Sequence, residues 1–239
     1  MLQLEQVHTY RAAAHILQGI SLAVNFGEVV CLVGRNGAGK TTTIESIMGL
    51  LPVWSGRITY QGQDITRLPP YERARLGIGY APEDAGIFPD LTVEENFQIS
   101  QWLAGSVRRP GTSSSDAEIR ERILAIFPEV RAVTQRLGLN LSGGQKKMVS
   151  IARAMSLSPS ILLLDEPFEG LAPVVVNRFI EAVKAIKAMG IPLFIAESNL
   201  RTATRIADRL YAIDRGELIF EGDPRSALEN AEVMKTLRG

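Results

Sequence analysis

The stretch GRNGAGKT, at residues 34–41, constrains the fold of this chain more than any other feature. It fits the pattern G-x-x-x-x-G-K-[ST], directly follows the apolar run VVCLV, and opens a helical pattern that ends near Gly49. Glycines allow successive backbone N–H groups to turn towards one anion, and the start of a helix adds positive potential. This order of strand, loop and helix predicts an α/β protein that binds a nucleotide phosphate at the end of a strand.

Backbone N–H groups and one lysine are expected to hold the phosphates in this loop. Lys40 contributes a full positive charge, and the hydroxyl oxygen of Thr41 suits Mg²⁺. Four matching positions recur by chance in roughly 1% of chains of this length, so a glycine-rich turn without function is the weaker interpretation. The predicted nucleotide-binding residues of the loop are Asn36, Gly37, Ala38, Gly39, Lys40, Thr41 and Thr42.

The run ILLLDE, residues 161–166, predicts a second buried strand, and this one ends on two carboxylates. Ligands of open α/β sheets bind at the carboxyl ends of the strands, so Asp165 and Glu166 are expected near the phosphates. Asp165 is the predicted Mg²⁺ ligand, directly or through water. Glu166 is the predicted catalytic residue, because a carboxylate one position further on can polarise a water for attack on the γ-phosphate.

The motif LSGGQ, residues 141–145, heads a helix predicted over about 143–156. Taken alone, it indicates an N-cap serine followed by two glycines that ease the bend. Because it lies between the phosphate loop and the acidic strand, the chain resembles the ATPases of the ABC family over nearly its whole length. In that family the motif of one subunit meets the γ-phosphate bound in the other. The resemblance therefore implies a head-to-tail dimer in which nucleotide is contacted by Ser142, Gly143, Gly144 and Gln145.

The same resemblance implies an α/β P-loop NTPase (RecA-like) core with an antiparallel β subdomain and an inserted α-helical subdomain. The order of strand and helix patterns places the nucleotide-binding core at residues 1–87 and 158–239, and the helical insertion with the signature motif at 88–157. Together they form a single ABC ATPase domain, residues 1–239. ATP and Mg²⁺ are the implied cofactors.

Three further residues take their expected roles from the resemblance. Tyr10 matches the aromatic side chain that stacks on adenine, and packing as a core tyrosine stays open as the alternative. Glu83 stands where most of the family has a glutamine that touches Mg²⁺, and a carboxylate can still ligate that ion. Ser198 stands where the family has a histidine that contacts the γ-phosphate. Serine is a poor acid or base near neutral pH, and loss of positioned acid–base help costs about 10²–10⁴-fold in rate.

Several features resemble one branch of the family, the two non-identical ATP-binding subunits of bacterial branched-chain (hydrophobic) amino-acid importers. These are the loop GRNGAGKTTT, Glu83, the segment DEPFEGLAP with Ala172 in place of the usual aspartate, and the non-histidine Ser198. Importers of urea or short-chain amides share this pattern. The segment 84–100 is where such importers receive a permease helix, although its apolar side chains suit a subdomain core equally well.

The main hypothesis is an ATP-hydrolysing motor subunit on the cytoplasmic face of the inner membrane. Its expected partners are a second, non-identical ATP-binding subunit, the membrane permease subunits and, indirectly, an extracytoplasmic solute-binding protein. The alternative is a catalytically weak clamp subunit of the same kind of importer, suggested by Ser198 and Glu83. A soluble ABC protein of translation or DNA repair is the least favoured hypothesis, because neither a second nucleotide domain nor a long coiled-coil insert is visible.

Bulk properties agree with a peripheral protein. Twenty-six basic residues balance 26 acidic ones, which does not favour a nucleic-acid partner. No signal peptide and no run of about 18 apolar residues is visible. The one cysteine, Cys31, lies in VVCLV and is expected to be a buried core thiol. His8 and His15 show no partner pattern and are expected to be ordinary surface or strand residues.

Overall fold

A computed structural model describes residues 1–105 and 115–238. The strands are β1 (Leu2–Arg11), β2 (Ala14–Val24), β3 (Val29–Val33), β4 (Val53–Tyr60), β5 (Gln63–Asp64), β6 (Ile78–Ala81), β7 (Ile161–Asp165), β8 (Leu193–Glu197), β9 (Arg209–Asp214) and β10 (Glu217–Gly222). The helices are α1 (Lys40–Met48), α2 (Pro70–Arg75), α3 (Val93–Gly105), α4 (Asp116–Ile126), α5 (Pro128–Arg131), α6 (Gly143–Ser156), α7 (Pro173–Ala188), α8 (Leu200–Ala203), α9 (Pro224–Glu229) and α10 (Ala231–Arg238), with a 3₁₀ turn at Gly138–Asn140. The surface loop predicted over residues 105–116 lies almost entirely outside the described residues.

The larger sheet has the strand order β10-β9-β3-β8-β7-β6. Strand β3 pairs in parallel with both β8 and β9, as its continuous apolar sequence predicts for a central strand. Strand β7 pairs in parallel with β8 and β6, and β10 closes the sheet antiparallel to β9. The carboxyl ends of β3, β7 and β8 therefore meet at one edge, which brings together the phosphate loop, the acidic strand and Ser198.

Side chains alternate between two cores on the two faces of this sheet. From β3, Val30 and Leu32 pack with the smaller sheet and with α1. Val29, Cys31 and Val33 face the other way, into a core shared with α4, α6 and α7. All five side chains are 0% exposed, so β3 is anchored from both sides and the loop that follows it starts from a rigid strand.

The smaller sheet is antiparallel, with the order β2-β1-β4-β5. The apolar alternation predicts strands over residues 2–7 and 19–24, whereas β1 and β2 extend to Arg11 and back to Ala14. Register shifts between Leu4 and Val7 and again beyond Val7 interrupt the alternation, and Gln6 has a φ of 47°. Such bulges hide the continuation of a strand from a period-two pattern.

Helices occupy most of the described chain between β6 and β7. Ser115 and Glu118 form the predicted capping box at the start of α4, and α6 has the predicted bounds. Within the segment 84–100, Val93 is fully buried and Phe88 is 46% exposed, so the segment supplies both core and surface. The division of the chain at residues 88 and 157 stays a prediction. Within the described residues, no helix is long and apolar enough to cross a membrane.

Candidate nucleotide-binding site

The phosphate loop connects β3 to α1 through close packing at its first glycine. A Cβ atom at Gly34 would lie 2.6 Å from the carbonyl oxygen of Ile213, so only glycine fits there. Gly39 has a φ of 116°, a conformation that L side chains rarely adopt, and it directly precedes α1. The amino group of Lys40 donates to the carbonyl oxygens of Gly34 at 2.8 Å and Arg35 at 3.0 Å. The Lys40 side chain therefore folds back across the loop and binds the backbone at its start.

Lys40 also forms an ion pair with Glu166. Its amino nitrogen lies 2.9 Å from Glu166 Oε1, and the two side chains are only 4% and 5% exposed. Charges this deeply buried require a close partner, which each provides for the other. The structure thus brings the predicted phosphate-binding lysine and the predicted catalytic carboxylate into direct contact.

Glu166 is held by its backbone as well as by its side chain. Its φ is 45°, which costs a non-glycine residue on the order of 1–3 kcal/mol and persists only when the surroundings enforce it. Its N–H donates to the carbonyl oxygen of Ala196 at 3.0 Å. The backbone N–H and the hydroxyl of Ser198 both donate to Glu166 Oε2, each at 3.1 Å. Serine at this position therefore orients the carboxylate, a role that needs neither charge nor a titratable group.

The predicted metal ligands line one cavity of about 720 Å³. The Thr41 hydroxyl donates to Asp165 Oδ1 at 3.2 Å, and Glu83 lies in the same lining. Among the described residues, Asp165 Oδ2 is buried without a hydrogen-bond partner. Burial, with the nearby charges of Glu166 and Glu83 adding to it, raises the pKa of Asp165 to about 6. A cation beside Asp165 would relieve both conditions.

This donor set fits Mg²⁺ better than a metal that needs a complete protein cage. The described part of the chain holds no group of three or more His, Cys, Asp or Glu side chains arranged for a metal ion. Magnesium in nucleotide sites takes one or two carboxylates and completes its shell with phosphate oxygens and water. Burial and the neighbouring Glu169 raise the pKa of Glu83, so its carboxylate would also gain from a cation.

Three charged residues near Glu166 escaped the sequence reasoning. Glu197 ends β8 and is 1% exposed; its Oε1 accepts the N–H groups of Ser198 and Asn199, each at 3.0 Å. Lys147 on α6 donates to the backbone carbonyl of Glu166 and lines the cavity that Glu169 also lines. The available signals were weak, namely a glutamate directly before Ser198 and a lysine one turn into the signature helix.

The signature residues form the N-terminus of α6. Ser142 Oγ accepts the N–H of Gln145 at 3.3 Å, and Gln145 Oε1 accepts the N–H of Ser142 at 3.0 Å. Ser142 and Gly143 are exposed, and a Cβ at Gly143 would meet nothing within 4 Å. The motif is thus preorganised and open to a partner, and it does not line the cavity beside Asp165.

The aromatic group at the β1–β2 hairpin is larger than the sequence predicts. Tyr10 is 36% exposed and stacks on His15, with ring centroids 4.4 Å apart, and the edge of Trp54 lies 5.6 Å away. His8 Nδ1 and His15 Nε2 are 3.1 Å apart and share a hydrogen bond. Both histidines lie on strands and neither is buried, as expected, and the strand register that pairs Tyr10 with His15 gives them contacts that the sequence does not indicate. Tyr10 lies on the surface and not in the core.

Comparisons with known proteins agree along nearly the whole chain. The family model described as ABC transporter matches residues 17–169. The high-affinity branched-chain amino acid transport ATP-binding protein BraG of Pseudomonas aeruginosa is 32% identical over 240 residues, covering 100% of each chain. The lipopolysaccharide export system ATP-binding protein LptB of Escherichia coli (strain K12) is 35% identical over 224 residues, covering 94% of this chain and 91% of its own.

A solved structure gives the same result for the fold. The crystal structure of the ADP conformation of MJ1267, an ATP-binding cassette of an ABC transporter, matches with a TM-score of 0.83 and 30% sequence identity. The match covers 100% of this chain and 98% of that one. The two chains therefore share their architecture from end to end, including the sheet edge at which the candidate site lies.

Proposed function

Because the chain belongs to the ABC transporter family and is an ATPase of that family, we propose that it is the motor subunit of a membrane importer. The observation that carries this proposal is the meeting of Lys40, Thr41, Asp165 and Glu166 at one sheet edge. A phosphate-binding lysine, a Mg²⁺ site and a carboxylate that can act on water are the parts that phosphoryl transfer to water requires.

Each residue has a chemical role in this mechanism. Lys40 and the loop N–H groups bind the β- and γ-phosphates of ATP, and Tyr10 stacks on the adenine. Thr41, Asp165 and Glu83 hold Mg²⁺, which neutralises charge on the phosphate oxygens when bound.

Hydrolysis depends on the carboxylate of Glu166. Glu166 accepts a proton from the attacking water, and Ser198 orients Glu166 for that step. Ser198 stands where the family has a histidine, and in this proposal it positions Glu166 through a hydrogen bond.

Hydrolysis requires a second subunit. Ser142 and Gly143 are exposed at the N-terminus of α6, and together with Gly144 they form an anion site that is not part of the lining of the chain's own cavity. It contacts the γ-phosphate held by a second ATP-binding subunit, which we propose is non-identical because Ser198 and Glu83 depart from the usual residues. Closure of the pair drives rearrangement of the permease subunits, and hydrolysis resets them. The assembly lies on the cytoplasmic face of the membrane.

Branched-chain or other hydrophobic amino acids are the proposed cargo. BraG, with that cargo in its name, matches this chain over its full length, and the segment DEPFEGLAP, Glu83 and Ser198 resemble its branch. The similarity to LptB makes lipopolysaccharide-type export the second candidate, at comparable identity. Uptake of urea or short amides is the third. Transport of radiolabelled leucine and of urea into vesicles that contain the co-purified assembly separates import of either from export.

The experiment that tests the motor role is ATP turnover of the co-purified membrane assembly carrying Glu166→Gln in this chain alone. Turnover is expected to fall by about 10²–10⁴-fold, because the amide cannot accept a proton. Substantial remaining turnover would mean that the partner subunit hydrolyses ATP and this chain acts mainly as a clamp. If no membrane subunit co-purifies, the transporter role itself is wrong.

A further inference from the structure

Lys147 connects two parts of the chain that the proposed function assigns to two different nucleotides. It lies in the second turn of α6, four residues after Gly143 of the exposed signature motif. Its amino group donates to the backbone carbonyl of Glu166, the first residue after strand β7. One side chain thus joins the helix that would contact the partner's nucleotide to the carboxylate that would act on this chain's own nucleotide.

The surroundings of Lys147 show that its ammonium group is built into this place. It is half-buried, and burial lowers its pKa, while four carboxylates oppose that effect. These carboxylates belong to Glu169, Glu197, Glu166 and Glu83. Glu197 ends β8, Glu83 follows β6, and Glu166 and Glu169 follow β7, so carboxylates from three parts of this sheet edge act on the lysine. An uncharged side chain of the same length would remove this cation from beside them.

The bond from Lys147 acts on the backbone of Glu166, which has a strained conformation. Glu166 has a left-handed φ of 45°, and its N–H is bonded to Ala196. On its other side, the carbonyl oxygen of Glu166 accepts from Lys147 and, at 3.2 Å, from the N–H of Glu169, so Lys147 is the one side-chain donor to this carbonyl among the described residues. The direction of the Glu166 side chain follows from that backbone, and the direction decides whether Lys40 and Ser198 can reach its two oxygens.

We infer that Lys147 is a positioning residue that couples the signature helix to Glu166 within one chain. Binding of the partner's nucleotide at the head of α6 would then act, through Lys147, on the carboxylate at this chain's own site. The inference rests on the proposed function, since it needs ATP on both sides of the dimer. The physical basis is a rigid, doubly capped helix end and a direct bond, without an intervening flexible segment.

The test is the steady-state kinetics of the co-purified assembly carrying Lys147→Met, with Lys146→Met as the matched control. Lys146 is the preceding residue on α6, is equally half-buried, and makes no bond to Glu166 in the described structure. For Lys147→Met we expect kcat to fall by about 10²-fold, the usual cost of misplacing a catalytic group by about 1 Å. The KM for MgATP should stay within about threefold, because the amino group of Lys147 donates to the Glu166 carbonyl and to no residue of the phosphate loop, although it lines the same cavity as Thr41. Lys147→Arg should recover most of the turnover, since a guanidinium also carries charge and N–H donors.

Combining Lys147→Met with Ser142→Ala in the same chain tests the coupling directly. If the lysine transmits engagement of the signature motif, the two losses in kcat will be smaller together than their product. Thermal unfolding of every variant identifies a fold defect, and Lys147→Gln, which removes the charge and has a shorter side chain, replaces Lys147→Met with the same expected loss if Lys147→Met does not fold.

Three outcomes would overturn the inference. These are a kcat unchanged by Lys147→Met, an equal loss with Lys146→Met, or strictly multiplicative losses with Ser142→Ala. A rise in KM alone would instead make Lys147 a nucleotide contact. The proposed function fails separately, if the unmodified assembly does not hydrolyse ATP or if Glu166→Gln leaves its turnover intact.

Discussion

Ser198 shows how one side chain can be read differently from sequence and from structure. From sequence it is a missing histidine, and a loss of acid–base help is the natural expectation. In the structure its N–H and hydroxyl both bind Glu166 Oε2, so it positions a carboxylate that is already present. Such a bond between residues 32 positions apart leaves no trace in a local pattern.

Replacing this serine by the usual histidine distinguishes a motor from a clamp. If this chain hydrolyses ATP with Glu166, Ser198→His should change turnover of the assembly by less than about threefold, because the backbone N–H of residue 198 and Lys40 still hold the two carboxylate oxygens and a ring N–H can replace the hydroxyl donor. A rise of about 10²-fold would show that acid–base help had been missing and would favour the clamp. Ser198→Ala is the control, since it removes the hydroxyl donor and keeps the backbone N–H.

Glu197 predicts a pH dependence of stability. Burial raises its pKa from an ordinary value of 4.5 to about 7, and the charge of Glu166 adds to this, against N–H bonds from Asn199 and Ser198. Between these two values the folded chain holds a proton that the unfolded chain releases, so this group makes the free energy of unfolding fall as pH rises from 4.5 to 7.

Glu197→Gln removes that titration. The variant should gain stability relative to the unmodified chain by about 1 to 3 kcal/mol as pH rises across this window. Urea denaturation of both chains at about pH 5, 6 and 7 measures the difference between their free energies of unfolding across this window. A difference that stays constant across the window would show that Glu197 ionises normally in the folded chain.

At the scale of the elements, the C-terminal end of α1 is stabilised by Arg73, a residue of α2. Arg73 is 2% exposed and donates to the carbonyl oxygens of Ser46 and Ile47 at the end of α1, at 2.7 and 2.8 Å. It also binds the carbonyl oxygens of Leu68 and Thr66, each at 2.8 Å. Burial lowers the pKa of this guanidinium to about 10. Helix ends leave carbonyl groups without intrahelical partners, and Arg73 supplies those partners here.

Arg73→Met should therefore lower the free energy of unfolding by about 3 to 5 kcal/mol, because several buried acceptors lose their donor at once. Arg75→Met is the matched control, since Arg75 is exposed and its guanidinium lies 5.4 Å from the Tyr71 ring, an arrangement worth about 0.5–1 kcal/mol. Chemical denaturation of both variants provides the comparison. Equal losses would mean that the carbonyl bonds of Arg73 contribute no more than a surface contact.

Elements with a strong local signal could be predicted from sequence, and short or irregular ones could not. The helix after the phosphate loop, the helix headed by LSGGQ and the strand ILLLD have the predicted places, since glycine, a capping serine or an apolar run marks their ends. Helix α2 has only six residues and begins at the second of two prolines, which indicate a loop as readily as a helix. At the site, the residue types and the spacing of the motifs predict that the phosphate loop and the acidic strand meet. They do not predict contacts between distant segments, such as the bond from Lys147 to the carbonyl oxygen of Glu166.

At the scale of the whole molecule, the open signature helix predicts an ATP-dependent dimer between this chain and the second ATP-binding subunit, so the two subunits are measured together. Glu166→Gln should accumulate the dimer in MgATP, because closure is retained while hydrolysis is lost. Adding Gly143→Asp should abolish it, since a carboxylate at an anion site repels the γ-phosphate. The fold should tolerate the aspartate, because a Cβ at Gly143 meets nothing within 4 Å and the start of a helix favours an acidic residue.

Size-exclusion chromatography with light scattering measures both variants, and thermal unfolding verifies that Gly143→Asp is folded. Gln63→Asp is a control at an exposed position of β5, in the smaller sheet. A dimer that survives Gly143→Asp would place the interface elsewhere than at the signature motif.

The burial of Cys31 makes the unmodified chain suitable for spectroscopic labelling. It is the one cysteine of the sequence and is fully buried in β3, and this burial raises its pKa. Maleimide reagents need an accessible thiolate, so they will not react with Cys31 in the folded chain. A cysteine introduced at exposed Val174 would then be the sole point of attachment for a dye or spin label. This label and a second one on the partner subunit would report opening and closing during turnover, and no native residue of this chain's catalytic core would have to be replaced first.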